Sequence, residues 1–192
     1  FKKDETAKDW SFCEKCELIV PPRSWHCSTC NVCILKRDHH CLFASNCIGF
    51  YNHRHFISFL IYFFIGATYC FIYNSYYIWI LHVNTYLNWF SPLQMIFPMF
   101  MIFLSNAEMT LFIYMLVLIG SLFSGVLLIY HGKLIARNAT THERNKGAYD
   151  MGLMRNFKIV FGEKPFYSLL WPFTKSTLTE TYWSPAESGK SK

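Results

Sequence analysis

Residues 13–47 read CEKCELIVPPRSWHCSTCNVCILKRDHHCLFASNC, and this stretch holds seven of the eight cysteines in a 192-residue chain. Two C-x2-C pairs, Cys13/Cys16 and Cys27/Cys30, lie near three histidines. Cysteine pairs at this spacing beside histidines are typical of tetrahedral zinc sites. Clustering of this kind favours metal binding in a reducing compartment over disulfides. The sequence therefore predicts a loop-rich module that is held by metal rather than by a hydrophobic core.

Ten side chains in this module can ligate zinc, whereas two tetrahedral sites need eight. Adjacent ligands such as His26 and Cys27 point in different directions, so we expect them to serve different metals. The spacing therefore predicts two interleaved Cys3His sites, the first formed by Cys13, Cys16, His26 and Cys33 and the second by Cys27, Cys30, His40 and Cys47. We expect no internal repeat beyond the cysteine pairs.

His39 and Cys41 are left over from the zinc sets, within the sequence Asp38-His39-His40-Cys41. A thiol beside an imidazole is the pairing of an activated nucleophile, and a carboxylate can orient the imidazole. Spacing alone leaves two interpretations open. In one, Cys41 is a catalytic nucleophile and zinc is the scaffold; in the other, Cys41 is a further structural cysteine.

The middle of the chain is apolar and aromatic, and Glu108 is its only charged residue between Arg54 and Lys133. Such a stretch suits a bilayer, where a central charge costs ~2.5 kcal/mol or more. Residues 55–82 and 109–131 are each long enough to cross a hydrocarbon core of ~30 Å. We predict both as transmembrane helices.

The two predicted spans are joined by residues 83–108, which we expect to lie on the non-cytosolic side. Apolar residues 95–104 belong to this connection as a loop or interfacial segment, or they extend the second helix with a kink near Pro98. The flanks, 1–54 and 132–192, carry eight and ten Lys or Arg residues, and the segment between them carries none. The positive-inside rule therefore places both flanks in the cytosol. The pattern N-x-T at Asn138 is accordingly rejected as a glycosylation site.

The spacing C-x2-C-x9-H-C-x2-C-x2-C-x4-D-H-H-C-x5-C-x4-N-x3-F runs from Cys13 through Asn52 to Phe56. In these residues the chain resembles the DHHC family of protein S-acyltransferases, or palmitoyltransferases. The T-T-x-E motif of that family is matched by Thr140-Thr141-His142-Glu143. Its C-terminal aromatic and Asn-containing segment is matched by Tyr149, Asn156 and Phe161-Gly162.

The resemblance implies an enzyme that transfers a fatty acyl group, mainly palmitoyl, from acyl-CoA to cysteines of membrane-proximal proteins. It implies that Cys41 is the acylated nucleophile, that His39 is the general base and that Asp38 polarises His39. It also implies that Thr140 or Thr141 contacts Asp38 and that Asn156 braces the C-terminal segment. Family members have four or more spans, so this chain is expected to hold the third and fourth.

One departure concerns the residues after the DHHC motif. The family usually continues with Pro-Trp-Val, whereas this chain continues with Leu42-Phe43-Ala44. No predicted catalytic or metal residue is lost. The change affects the surface beside Cys41, where Phe43 still offers an apolar face to an acyl chain.

Contacts with acyl-CoA are predicted in two places. Lys36 and Arg37 flank the catalytic motif and can neutralise CoA phosphates. Phe59, Phe63 and Gly66 recur at helical spacing near the start of the first span and can line a slot for the acyl chain. The alternatives are a basic patch facing solvent or lipid headgroups and an apolar face that contacts lipid.

The sequence thus predicts a mainly α membrane protein, a transmembrane helical hairpin with a cytosolic double-zinc module. Expected partners are fatty acyl-CoA, protein substrates with accessible cysteines and membrane lipid, in an endomembrane such as the Golgi or endoplasmic reticulum. Two rivals are a membrane-anchored zinc module that recruits partners without chemistry and a RING-type ubiquitin ligase. A RING needs a further C-x2-C pair that is missing after Cys47. Nucleic-acid binding is excluded because the basic residues are split around the spans.

Overall fold

The structure is a computed structural model that describes residues 10–81, 106–143 and 148–171. The chain divides into two compact units. The first unit comprises Phe1–Ser58 and Tyr130–Lys192, and the second comprises Phe59–Ile129.

The N-terminal part of the first unit consists of three antiparallel β-hairpins, each with two three-residue strands. They pair β1 (Ser11–Cys13) with β2 (Leu18–Val20), β3 (Trp25–Cys27) with β4 (Val32–Ile34), and β5 (His39–Cys41) with β6 (Asn46–Ile48). In each hairpin, the fourth residue of the turn has a left-handed backbone, with φ of 53° at Glu17, 52° at Asn31 and 46° at Ser45. The module predicted to be loop-rich therefore contains regular hairpins, whose strands are too short for sequence alternation to reveal.

These hairpins are a 14-residue repeat, because their first strands begin at Ser11, Trp25 and His39. The three copies read SFCEKCELIVPPRS, WHCSTCNVCILKRD and HHCLFASNCIGFYN. The expectation of no repeat beyond the cysteine pairs is thus wrong. The sequence does not reveal this repeat, because the three copies share only a cysteine at the end of the first strand and an apolar residue at the end of the second.

The described helices number four. Helix α1 is His53–Tyr76, continued by a π-helical turn over Tyr77–Leu81; the others are α2 (Asn106–Ala136), α3 (Leu153–Phe161) and α4 (Pro165–Leu170). Two stretches, His53–Ile80 and Met109–Ala136, are long and apolar enough to cross a membrane. Most of the predicted connection 83–108, including residues 95–104, lies outside the described residues.

Within the second unit, α1 and α2 pack antiparallel. Thr68 Oγ1 and Ser121 Oγ are 2.8 Å apart, and near the other end of the pair Ile78 and Leu111 form a small buried cluster. Gly125 leaves room for a ring, since a Cβ there would lie 3.1 Å from Phe64. Small and hydroxyl residues therefore set the contact between these apolar helices, as is usual for membrane helix pairs.

Candidate thiol and metal site

The second predicted zinc set has the geometry of a tetrahedral site. His40 Nδ1 lies 3.7, 3.3 and 3.7 Å from the sulfurs of Cys27, Cys30 and Cys47, respectively. The sulfurs of Cys30 and Cys47 are 3.7 Å apart. Zn–S bonds of about 2.3 Å and Zn–N bonds of about 2.0 Å require ligand atoms about 3.5–3.8 Å apart. The set therefore fits one zinc ion.

The first predicted set also comes together. All four ligand atoms of Cys13, Cys16, His26 and Cys33 lie within 4.8 Å of one another, and Cys16 Sγ is 3.2 Å from His26 Nδ1. Burial and the neighbouring Cys13 and Cys16 thiols raise the pKa of Cys33 to about 12. Three crowded thiols cannot all ionise without a cation, so both the donor set and its electrostatics fit zinc.

The repeat explains why the ligand sets interleave. Each set takes both C-x2-C cysteines from one hairpin, and it takes a cross-strand His/Cys pair from the next. These pairs are His26 opposite Cys33 and His40 opposite Cys47. Each zinc ion would thus tie one hairpin to its successor, and the ion of the second set would hold the backbone on both sides of Cys41, at His40 and Cys47.

In the third hairpin, Cys41 occupies the position of the first cysteine of a C-x2-C pair, but the hairpin lacks the second cysteine. It ends β5 as Cys13 ends β1 and Cys27 ends β3. The third turn position, Cys16 and Cys30 in the first two hairpins, is Ala44 in the third. Repeat position and cysteine count therefore single out Cys41 as the thiol that neither zinc set uses.

The turn after Cys41 still supports a thiolate. Burial raises the pKa of Cys41, but the backbone N–H groups of Ala44 and Phe43 and a hydrogen bond with His39 outweigh it and lower the pKa. Corresponding turn N–H groups lower the pKa values of Cys13 and Cys27. Cys41 thus has the same N–H donors as a zinc-bound cysteine, with no second cysteine to complete a metal site.

His39 is fixed by Asp38, which is 6% exposed. His39 Nδ1 donates to Asp38 Oδ2 at 2.7 Å, which leaves Nε2 as the nitrogen available to Cys41. The hydrogen bond that His39 donates to Asp38 raises the pKa of His39 more than burial lowers it. Burial opposes ionisation of Asp38, but the bonds from His39 and Thr141 hold its pKa well below the usual range. The Asp38–His39 pair is therefore set up to accept a proton from a thiol.

Asp38 is held in turn by the residues that follow α2. The backbone N–H of Thr141 donates to Oδ1 at 2.7 Å, and its hydroxyl donates to Oδ2 at 2.7 Å. Of the two threonines predicted to contact Asp38, Thr141 makes the contact. The Thr140 hydroxyl is buried and has no hydrogen-bond partner among the described residues.

A buried ion pair joins the same segment to the hairpins. Arg23 binds both Glu143 carboxylate oxygens at 2.8–3.1 Å, and its guanidinium lies 4.1 Å from the Tyr149 ring centroid. Arg23 and Lys36 both donate to Asn138 Oδ1, at 3.3 and 2.9 Å. Asn138 is 2% exposed, and its amide also donates to the Tyr149 carbonyl. This burial agrees with its rejection as a glycosylation site.

Asn156 on α3 is fully buried and braces the segment as the resemblance implied. Its Nδ2 donates to the Ala136 carbonyl at the end of α2 and to Asp150 Oδ1, both at 2.7 Å. Its Oδ1 accepts from the Met151 N–H at 3.0 Å. One amide thus joins α3 to the end of α2.

Sequence reasoning missed His131, which lies near the C-terminal end of α2 and is 3% exposed. Its Nδ1 is 3.8 Å from Asp38 Oδ2, and its ring centroid is 5.6 Å from that of His39. The available signal was its position, since an ionisable residue at the end of a predicted span is a candidate functional residue.

The residues predicted to contact acyl-CoA fall into different environments. Lys36 is 4% exposed with Nζ bound to Asn138, so its burial argues against a contact with CoA phosphates. Arg37 is half-buried.

The predicted acyl-chain residues lie on α1. Phe59 and Phe63 are exposed and stack with ring centroids 5.9 Å apart. A Cβ at Gly66 would meet no atom within 4 Å.

A carboxylate-held imidazole beside a thiol, in a module with two zinc-type ligand sets, is the arrangement expected of a thiol group-transfer site on a metal scaffold. The sequence model of the DHHC palmitoyltransferase family matches residues 6–148. The chain therefore belongs to that family.

Relatives include human Probable palmitoyltransferase ZDHHC24, 34% identical over 88% of this chain and 61% of the relative. Human Palmitoyltransferase ZDHHC15 is 32% identical over 83% of the chain and 46% of the relative. Probable protein S-acyltransferase 14 of Arabidopsis thaliana is 32% identical over 87% and 52%. The chain thus spans about half to three fifths of the length of these relatives.

Proposed function

We propose that this chain carries the catalytic centre of a protein S-acyltransferase. The observation that supports this most is the series of hydrogen bonds from Thr141 through Asp38 to His39, whose imidazole neighbours Cys41. The Cys41 thiol belongs to neither metal set. Membership of the DHHC family supports acyl transfer as its chemistry. The proposed donor is a fatty acyl-CoA, mainly palmitoyl-CoA, and the acceptors are cysteines of membrane-proximal proteins.

The reaction proceeds in two steps. His39 takes the Cys41 proton, and the thiolate attacks the thioester carbonyl carbon. The bond to the CoA sulfur breaks, and CoA leaves with the proton from His39. A substrate thiol then gives its proton to His39 and attacks the carbonyl carbon of S-acyl-Cys41. The bond between that carbon and Cys41 Sγ breaks, and His39 returns the proton to Cys41. Zinc held by the two Cys and His sets would have a structural role, in which its ligands fix the backbone around Cys41.

The test uses full-length protein in liposomes with a clickable palmitoyl-CoA analogue. Wild type is expected to gain label that neutral hydroxylamine releases, and Cys41→Ser and Cys41→Ala to gain none. Cys70→Ser is the matched control, since Cys70 is an exposed cysteine within α1. Unlabelled but zinc-replete wild type would favour a recruitment module without chemistry.

The proposed setting is a multi-pass endomembrane protein. The two apolar stretches would form a hairpin with both flanks in the cytosol, because Lys and Arg are confined to those flanks. A cysteine-labelling assay on sealed microsomes tests this orientation. If residue 41 is protected from a membrane-impermeant maleimide added on the cytosolic side, the proposed orientation is wrong.

For the acyl chain, we propose the face of α1 that carries Phe59, Phe63 and Gly66. Its two rings are exposed, and a Cβ at Gly66 would meet no atom within 4 Å. Gly66→Leu should therefore change the space on this face without a clash at its Cβ. The variant is expected to shift preference from stearoyl-CoA toward shorter donors, with Ile65→Leu as control. An unchanged chain-length preference would exclude this face.

For the CoA phosphates, Arg37 is the remaining candidate of the predicted pair. Arg37→Ala is expected to raise KM for acyl-CoA several-fold with little change in kcat, whereas exposed Arg155→Ala is not. Equal KM values for Arg37→Ala and wild type would remove Arg37 from the binding site.

A further inference from the structure

Asp38 has a second imidazole facing it that the proposed mechanism does not use. Asp38 Oδ2 accepts from His39 and from the Thr141 hydroxyl, and His131 Nδ1 lies 3.8 Å from the same oxygen. The ligand atoms of Asp38, His39 and His131 lie within 4.8 Å of one another. His131 thus belongs to the site by position.

The Nδ1 atom of His131 is buried and has no hydrogen-bond partner among the described residues. A buried polar atom without a partner costs about 1–3 kcal/mol, so its presence calls for an explanation, and a catalytic role is one of those known in native proteins. The distance of 3.8 Å is too long for a hydrogen bond, but a shift of about 1 Å would close it. Because the nearest group is a carboxylate oxygen, the proton of His131 belongs on Nδ1.

The surrounding rings limit the directions in which His131 can move. Phe56 contacts both imidazoles edge-on, with centroid distances of 5.2 Å to His39 and 5.1 Å to His131. Tyr130 contacts the His131 ring at 5.2 Å. His53 lies farther away, with its ring centroid 6.4 Å from that of His131. A short movement of Nδ1 toward Asp38 Oδ2 would give the buried nitrogen an acceptor.

We propose that His131 is a positioning residue: its Nδ1–H binds the Asp38 carboxylate during acyl transfer and keeps His39 directed at Cys41. This inference rests on the proposed S-acyltransferase function. When His39 gains or gives up a proton, its hydrogen bond to Oδ2 changes strength. His131, as a third donor to Oδ2 after His39 and the Thr141 hydroxyl, keeps the carboxylate oriented through both steps.

The test measures single-turnover acylation of Cys41 in full-length protein in liposomes. His131→Phe keeps a ring and loses the donor, whereas His131→Asn keeps an N–H near the Nδ1 position and loses the ring. We expect His131→Phe to slow acylation about tenfold with unchanged KM for acyl-CoA, and His131→Asn to retain at least half of the wild-type rate. In an Asp38→Asn background, His131→Phe is expected to change the rate less than twofold, because its effect passes through Asp38.

Zinc content and thermal unfolding identify variants that fail to fold. Wild-type rates in His131→Phe would overturn the inference while leaving acyl transfer intact. A slow His131→Asn beside a fast His131→Phe would also overturn it, since ring packing would then be what matters. A full tenfold loss in the Asp38→Asn background would show that His131 does not act through Asp38. Absence of acylation in wild type would instead contradict the proposed function itself.

Discussion

At the scale of single residues, the Asp38 carboxylate is the most constrained group of the site. It accepts three hydrogen bonds of 2.7 Å, two of which come from Thr141. Neither the backbone N–H nor the hydroxyl of Thr141 takes part in the proposed reaction. The threonine therefore acts by orienting Asp38, and its hydroxyl is the part that a mutation can remove.

Thr141→Val is expected to slow acylation of Cys41 about tenfold, since a hydrogen bond to a charged group contributes about 1.5–3 kcal/mol. Thr140→Val is the matched control, because it replaces a buried hydroxyl that has no hydrogen-bond partner among the described residues. We expect Thr140→Val to keep wild-type activity and to unfold at the same or a higher temperature. Equal rates in the two variants would contradict the role given to the Thr141 hydroxyl.

Lys36 leads to a prediction about pH. Burial, with a smaller effect of nearby Arg23, lowers the pKa of Lys36 from 10.5 to about 7. Between these values the unfolded chain carries a proton on Lys36 that the folded chain has lost. The free energy of unfolding therefore rises with pH across this window.

Lys36→Met keeps an apolar stem and removes that titration. As the pH is raised from about 7 to about 9, wild type should gain thermal stability relative to Lys36→Met. Other titrating groups are common to both proteins and cancel in the difference. Parallel curves over this range would mean that Lys36 keeps an ordinary pKa in the folded protein.

At the scale of elements, the three hairpins have four-residue turns of the same kind, and the third residue of the turn differs between them. Cys16 and Cys30 complete zinc-binding pairs, whereas Ala44 leaves Cys41 without a second thiol. In the proposed function, the methyl group of Ala44 is thus what leaves the Cys41 thiol outside a C-x2-C pair and available for acyl transfer.

Ala44→Cys is therefore expected to create a third C-x2-C pair that captures metal at Cys41. The variant should become inhibited by micromolar Zn²⁺ or Cd²⁺, and a mild chelator should restore its activity. Ala44→Ser, which adds a hydroxyl of similar size, is expected to remain insensitive. If Ala44→Cys and Ala44→Ser respond alike to added metal, the turn does not present Cys41 as a ligand.

The sequence predicted these elements unevenly. Both ligand sets that it predicted come together, because C-x2-C spacing and adjacent His-Cys pairs constrain geometry at short range. The hairpins were missed because three-residue strands carry no periodic signal. The burial of Lys36 and the approach of His131 to Asp38 depend on contacts between residues about a hundred positions apart, which spacing cannot reveal.

At the scale of the whole molecule, the first unit is built from both ends of the described chain. Arg23 and Glu143 connect these ends through a buried bidentate pair, while Asn156 fastens α3 to α2. Breaking a buried ion pair leaves an uncompensated charge, whereas an exposed pair contributes little.

Arg23→Lys keeps the charge and loses the planar contact with Glu143. We expect a loss of about 1–3 kcal/mol in the free energy of unfolding, because the missing guanidinium hydrogen bonds leave buried acceptors of Glu143 and Asn138 unpaired. Acylation should also slow, because Thr141 lies two residues from Glu143 in the chain. Lys158→Ala removes the exposed pair with Glu163 and should leave the stability unchanged. Comparable melting temperatures for Arg23→Lys and Lys158→Ala would contradict this view of the first unit.

The interleaved ligand sets also matter while the protein is being made. Cys27, Cys30 and His40 leave the ribosome before Cys47, and Cys41 precedes Cys47 by six residues. During that interval Cys41, the thiol of residues 13–47 that belongs to neither set, can take the place of Cys47. A zinc ion captured in this way would give a chain with full metal content in which the proposed nucleophile, Cys41, is blocked. Zinc stoichiometry therefore counts metallated chains, and only titration of the Cys41 thiol counts the competent ones.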